Sequence, residues 1–239
     1  MDNLTYSQAS SKTVGNETSF NEESMHSAAP SVKNGARKQQ LKPHEVLFFE
    51  GDKADKIYEV ISGVVMLYKL LPDGRRQIVY IVREGDMLGF SQRDIFDCTA
   101  EALTKTELQV YEGRDVSTSP LMQHYINRCL LSQMESLHEH TVLLGRKSAM
   151  ERVATFLMGL VPNRGGVGCT GPSKEAGTDD RTVMLSMTRQ EIADYLGLTI
   201  ETVSRVISQM KRKGLIKVEK HDSIHILNIC NICQLTGMH

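Results

Sequence analysis

The sequence predicts an α+β chain with an N-terminal antiparallel β-roll of jelly-roll type, a long central dimerisation helix and a C-terminal winged helix-turn-helix. Three observations predict this. From Leu41 to about Tyr111, short runs of Val, Ile, Leu, Phe and Tyr alternate with Gly-containing turns. From Pro120 to about Val161, Gly is confined to Gly145 and Gly159 and the apolar residues adopt helical spacing. Between Arg189 and Met210, two short amphipathic helices meet at a single glycine. At 239 residues and 40% hydrophobic content, the chain has room for one large or two ordinary domains with real cores.

Taken in order, residues 1–36 are rich in Ser, Asn, Thr and Glu, with Leu4, Val14, Phe20 and Val32 as the sizeable aliphatic or Phe side chains, and a disordered tail is expected. Residues 37–119 form the β-roll, punctuated by Glu50-Gly-Asp52, Ser62-Gly63, Pro72-Asp-Gly74 and Glu84-Gly-Asp86. Pro72-Asp73-Gly74, between Val64–Leu70 and Gln77–Val82, has the composition of a hairpin turn. Residues 120–146 form the dimerisation helix. Leu130, Met134, Leu137, Thr141 and Leu144 alternate steps of four and three along it, a seam able to pair with a second helix or to pack on its own β domain. Residues 147–239 form the DNA-binding domain, beginning with a helix from Lys147 to Val161 and a Gly- and Pro-rich loop over 162–180.

The helix-turn-helix carries the sharpest signals. Thr188 precedes the first helix and Glu191 follows three residues on, the spacing of a capping box. Ile192, Ala193 and Leu196 make the inner face, Gly197 supplies the exit turn and Thr199 caps the second helix. Along that helix Val203, Val206, Ile207 and Met210 face the core, while Glu201, Ser204, Arg205 and Ser208 share the opposite face. Arg205 can donate a bidentate pair to guanine O6 and N7 and Glu201 can accept from a cytosine amine, whereas the same two residues at i and i+4 also suit an exposed helix salt bridge. Gly214 stops the helix, and Leu215–Glu219 with Ile224–Leu227 read as a β wing around His221-Asp-Ser223.

The net charge of −1 conceals a basic C-terminal region. Between Arg181 and His221 the basic residues Arg181, Arg189, Arg205, Lys211, Arg212, Lys213, Lys217 and Lys220 outnumber the acidic Glu191, Asp194, Glu201 and Glu219. A field of that sign draws a polyanion, and Thr188, Arg189, Thr199, Thr202, Ser208, Lys217 and Lys220 are the candidate phosphate contacts. Lys211, Arg212 and Lys213 equally suit a solvated helix end. No apolar run approaches the ~18 residues of a membrane span and no signal-peptide pattern opens the chain, so a cytoplasmic protein without a membrane partner is expected. Cys98, Cys129, Cys169, Cys230 and Cys233 are scattered and odd in number, with no disulfide framework.

The β-roll, long helix and winged helix-turn-helix, in that order over roughly residues 40–237, resemble the CRP/FNR family of bacterial transcription regulators. Asp194-Tyr-Leu-Gly-Leu-Thr-Ile-Glu-Thr-Val-Ser-Arg205 is similar to the FNR and FixK branch, where the cyclic-AMP receptor branch has Arg in place of Ile200. The resemblance implies that Glu201, Ser204 and Arg205 read base edges in a palindrome like TTGAT-N4-ATCAA, that the chain acts as a homodimeric activator touching RNA polymerase, and that its genes serve low-oxygen respiration, denitrification or nitrogen fixation. Leu71-Pro-Asp-Gly-Arg-Arg76 is the candidate polymerase loop, with a solvated hairpin turn as its other reading.

The family's sensory signatures are weak here. Gly85-Asp-Met-Leu-Gly89 is followed by Phe90, with Cys98-Thr99 where a cyclic-nucleotide pocket would carry its Arg-Ser/Thr pair, and Arg93 is the cation of that stretch. Residues 1–97 contain no Cys, which excludes an N-terminal iron–sulfur cluster of the FNR type. His44, Cys98 and His124 are the candidate haem ligands, each with a structural or exposed role as its favoured reading. Cys230-Asn-Ile-Cys233, with His225 and His239, could hold a metal, although Ile229, Ile232 and Leu235 suggest a terminal helix in which the cysteines pack as small apolar residues. No resident metal or cofactor is therefore expected. The alternative is a ligand-gated regulator sensing haem, redox state or a small effector in the β-roll. No acid–base pair, nucleophile constellation or phosphate loop points to an enzyme.

Overall fold

The strands β1 (Arg37–Leu41), β2 (Val46–Phe48), β3 (Lys56–Ser62), β4 (Val65–Leu70), β5 (Arg76–Val82), β6 (Met87–Leu88), β7 (Thr99–Ala102) and β8 (Thr106–Glu112) form two antiparallel sheets, ordered β1-β8-β3-β6 and β2-β7-β4-β5. These belong to a computed structural model that describes residues 37–162, 179–220 and 223–237, the Lys220 side chain excepted. The expected disordered tail, residues 163–178 of the expected loop, the wing turn at His221-Asp222, and His239 lie outside the described residues.

Period-two alternation fixes the faces of each strand. On β3, Tyr58 and Val60 point between the sheets, where they meet Phe48, Val65, Leu88 and Leu108 in one apolar cluster. Their neighbours Ile57 and Glu59 take the opposite face. The predicted hairpin joins β4 to β5: Gly74 has φ 84°, its N–H donates to the Leu71 carbonyl at 2.9 Å, and Asp73 Oδ1 accepts from the Arg75 N–H at 3.1 Å. Gly63 is the most constrained glycine of the roll. Its φ is 96°, and a Cβ there would sit 2.5 Å from Thr106 Oγ1 and 2.6 Å from the Lys105 carbonyl oxygen. Gly63→Ala is therefore expected to cost more than the ~1–2 kcal/mol of left-handed strain alone, read as a lowered thermal midpoint. An unchanged midpoint would remove the clash from consideration.

After the short α1 (Gly113–Thr118), α2 runs from Pro120 to Arg146, 27 residues, with Pro at its start and the Ser119 hydroxyl accepting from the Met122 N–H. Its first half packs Met122, Tyr125 and Ile126 onto Met87, Tyr111 and Val116. Glu59, buried from β3, accepts from the Tyr111 hydroxyl at 2.7 Å, and the Tyr125 hydroxyl lies 3.5 Å from the same carboxylate and donates to the Gly85 carbonyl at 3.1 Å. Burial and the adjacent carboxylate raise both tyrosine pKa values, so both phenols remain donors at neutral pH. Helix and sheet are thus joined through satisfied polar groups.

Lys147 and Ser148 separate α2 from α3 (Ala149–Met158), whose start is fixed by a capping box between Ser148 and Glu151. The helix is shorter than the Lys147–Val161 span that the spacing predicts, since Ser148 caps its start and Gly159 its end. Then follow β9 (Arg181–Met184), α4 (Arg189–Leu196), α5 (Ile200–Arg212), β10 (Ile216–Lys220), β11 (Ser223–Ile226) and α6 (Ile229–Gln234). The wing has three strands, ordered β10-β11-β9, rather than the expected two. One continuous core joins Val153 and Leu157 of α3 to Ile192 and Leu196 of α4, Val203 and Met210 of α5, and Ile224 of β11. It also includes Ile229, Ile232 and Cys233 of α6, and extends to Met66, Ile78 and Ile81 on the outer face of the roll.

Candidate nucleic-acid interface

Each end of the helix pair α4–α5 is set by the residue that the sequence marks. Thr188 and Glu191 close the capping box: Thr188 Oγ1 accepts from the Glu191 N–H at 3.2 Å while the Glu191 carboxylate accepts from the Thr188 N–H at 2.7 Å. Gly197 exits α4 with φ 60°, in the left-handed region. Thr199 caps α5 by accepting from the Thr202 N–H at 3.2 Å. Val203, Val206, Ile207 and Met210 are all buried, which rotates the opposite face outward. Glu201, Ser204, Arg205 and Ser208 are all exposed on that face.

The exposed face is lightly tethered. Arg205 Nη2 lies 3.5 Å from Thr202 Oγ1, a weak contact that leaves the guanidinium free to turn. Backbone hydrogen bonding at the helix start and the Thr199 hydroxyl hold the Glu201 carboxyl below the usual carboxylate range, so it stays ionised as an acceptor. Ser208 donates to the Ser204 carbonyl at 2.8 Å, so its hydroxyl is already engaged within the helix.

The candidate phosphate contacts divide by their surroundings. Thr188 and Thr199 are exposed but their hydroxyls serve as caps, and Thr202 is half-buried beside Thr199 at 3.1 Å. Arg189 at the first turn of α4 is half-buried, and its Nη1 is buried without a hydrogen-bond partner. Burial disfavours that charge, yet a guanidinium keeps its proton. Arg189 lines a groove together with Thr188, Glu191 and Val218 of the wing. Lys217 on β10 is exposed; the side chain of Lys220 lies outside the described residues.

Contacts to the β-roll fix where this unit sits. Arg76 Nε donates to Asp194 Oδ2 at 2.8 Å, linking residues 118 apart, and Gln77 Nε2 approaches the Tyr195 carbonyl at 3.4 Å. His44 Nδ1 lies 3.3 Å from Glu101 and 3.6 Å from Glu191. Arg76, counted with the hairpin loop in the sequence, is thus turned inward, while Asp73 and Arg75 pair with each other at 2.8 Å on the exposed turn.

The seam residues of α2 lie on an uncovered face: Leu130, Met134 and Leu137 are 40%, 47% and 42% exposed, with Thr141 beside them. Leu144 departs from that row, being half-buried against its own chain, where its Cδ2 would lie 3.2 Å from a Cβ at Gly197. In the roll, Phe48 stacks on Phe96 at 3.7 Å, and the Thr99 hydroxyl accepts from the Glu50 N–H at 3.0 Å. Burial pushes the Cys98 thiol up to about 11, so it is a protonated thiol at neutral pH. His44 sits in the β1–β2 turn and His124 on an exposed turn of α2, on separate elements from Cys98. Cys233 is buried and Cys230 half-buried on α6, which packs on the wing core. Among the described residues no cluster of three or more His, Cys, Asp or Glu could hold a metal, and no helix is long and apolar enough to cross a membrane.

Residues 38–118 match the cyclic nucleotide-binding domain family and residues 151–235 the Crp-like helix-turn-helix domain family. The chain is 36% identical over 196 residues to the nitrogen fixation regulation protein FixK of Rhizobium meliloti, covering 80% of this chain and 85% of that protein. It is 37% identical over 190 residues to the transcriptional activatory protein AadR of Rhodopseudomonas palustris, covering 78% and 75%. Among solved structures, FixK2 from Bradyrhizobium japonicum superposes with a TM-score of 0.72 at 30% identity, covering 84% of this chain and 98% of that one.

Proposed function

Since this chain belongs to the CRP/FNR family of DNA-binding transcription regulators, in its FixK-like branch, we propose that it binds as a homodimer to a two-fold site of the TTGAT-N4-ATCAA type. The observation that carries this reading is the exposed polar face of α5, held outward by four buried apolar residues and capped at Thr199. In this reading Arg205 donates to a guanine, Glu201 accepts from a cytosine amine, and Ser204 touches a thymine methyl or the backbone. Arg189, half-buried at the start of α4, takes a phosphate oxygen and the exposed Lys217 a second phosphate from the wing. Thr188, Thr199, Thr202, Ser208 and Lys220 complete the contact region around them.

Pairing of α2 with its copy along Leu130, Met134, Leu137 and Thr141, with Leu144 behind them, sets two recognition helices at the separation of about 34–36 Å that successive major grooves require. We assign activation through RNA polymerase to the exposed part of the β4–β5 hairpin, Leu71 to Arg75. The relative named as the nitrogen fixation regulation protein FixK supports target genes of nitrogen fixation; genes of low-oxygen respiration or denitrification follow from the family resemblance, and the protein acts in the cytoplasm.

The test is equilibrium binding to a TTGAT-N4-ATCAA duplex and to a shuffled duplex across a salt series. Specific affinity at least ~10³-fold tighter is expected. Lys217→Ala should weaken both duplexes alike and reduce the salt slope by about 1. Equal affinity for the two duplexes would refute the half-site assignment.

A further inference from the structure

A cavity of about 230 Å³ lies where β5, α2, α3 and α4 meet, away from the DNA-reading face of α5. Its volume equals that of roughly eight waters in the liquid. Ile81, Leu143 and Phe156, all buried, supply apolar wall. The mouth carries one charge of each sign, Arg83 from the roll and Glu139 from α2, both exposed.

His140 lies in the wall, 9% exposed, with its ring stacked on Tyr195 of α4 at 4.3 Å. Neither ring nitrogen has a partner at hydrogen-bonding geometry, and the polar group that acts on the ring is the Ile78 backbone. Burial lowers the imidazole pKa, so the ring is neutral at pH 7 and offers one N–H donor and one lone pair. A buried polar ring left this way is unusual. Tyr80 and Ser136 stand beside it in the wall.

We propose that this cavity is an effector site for a small zwitterion, an L-amino acid. Its carboxylate pairs with Arg83, its ammonium with Glu139, and its body rests on Phe156 and Leu143 with a polar end at His140. Opposite charges at one mouth favour a ligand that carries both, and the apolar wall excludes one without an apolar body. Because Tyr195 belongs to α4 and Arg83 directly follows β5, the occupant touches both the roll and the helix-turn-helix. That it modulates DNA binding rests on the regulator reading; that it binds does not.

The test uses the full chain labelled with ¹⁵N-histidine, titrated with each of the twenty common L-amino acids in the absence of DNA. The His140 resonances are identified by their loss in His140→Phe, which keeps the ring stacked on Tyr195, and its thermal midpoint checks that it folds. At least one amino acid is expected to shift the His140 ring nitrogens with a dissociation constant of about 1 mM or tighter and to raise the thermal midpoint. Glu139→Gln, at an exposed position, should weaken that ligand about tenfold and His140→Phe by a similar factor. The proposal fails if none of the twenty moves the His140 resonances, which would mean that water alone satisfies the ring. It fails equally if a ligand binds with undiminished affinity to both variants. Repeating the TTGAT-N4-ATCAA titration with the ligand bound tests the DNA consequence separately.

Discussion

Replacing Arg205 by alanine is expected to remove about 1–3 kcal/mol of binding free energy at each half-site, hence roughly thirtyfold to twenty-thousandfold in affinity for a two-half-site duplex. The loss should be concentrated on specific DNA. Arg205 is exposed and tethered by a long contact to Thr202, so the variant keeps its core. Its side chain meets a guanine edge in the proposed complex, so preference at that base should relax while affinity for shuffled DNA falls only by the share of one cation. Equal losses on both duplexes would reassign Arg205 to the phosphate backbone. The thermal midpoint should stay near that of the parent protein, which separates a binding defect from a folding one.

Leu137→Glu is expected to convert the protein to a folded monomer. Leu137 is 42% exposed in the single chain, so a carboxylate there is solvated in the monomer and buried without a partner only when two copies of α2 pair. Light scattering should report half the parent mass, with an unchanged circular dichroism spectrum. Affinity for the two-half-site duplex should fall about 10²- to 10⁴-fold, because the second half-site is no longer held at high effective concentration. A dimer that survives this substitution would place the interface on another surface. The substitution leaves the contact of Tyr125 with the Gly85 carbonyl untouched, since Tyr125 lies about three turns away along α2.

The helix-turn-helix was legible because local chemistry specifies it. Thr188 and Glu191 form both halves of the capping box, and Gly197 takes the left-handed backbone that its position implies. The β4–β5 hairpin was legible for the same reason, since Pro72-Asp73-Gly74 carries its turn geometry within a few residues. β9 was not: Val183 is its one buried residue, and the strand exists through its pairing with β11, from Met184↔Ser223 to Arg181↔Ile226. The Arg76–Asp194 pair was equally hidden, as no local pattern connects residues 118 apart. Leu144 fitted the seam by spacing and yet packs against its own chain, because α2 passes close to Gly197 at that turn. His140 had no signal at all. A histidine on an amphipathic helix reads the same whether it faces solvent or lies beneath Tyr195, and only packing decides.

The regulator's central property is the site that it reads, and selection from random duplex DNA by the purified full chain measures that directly. The expected result is enrichment of a two-fold sequence with TTGAT half-sites separated by four base pairs, lost at the guanine position when the selection is repeated with Arg205→Ala. Enrichment of an unrelated or asymmetric sequence, or of none, would contradict it.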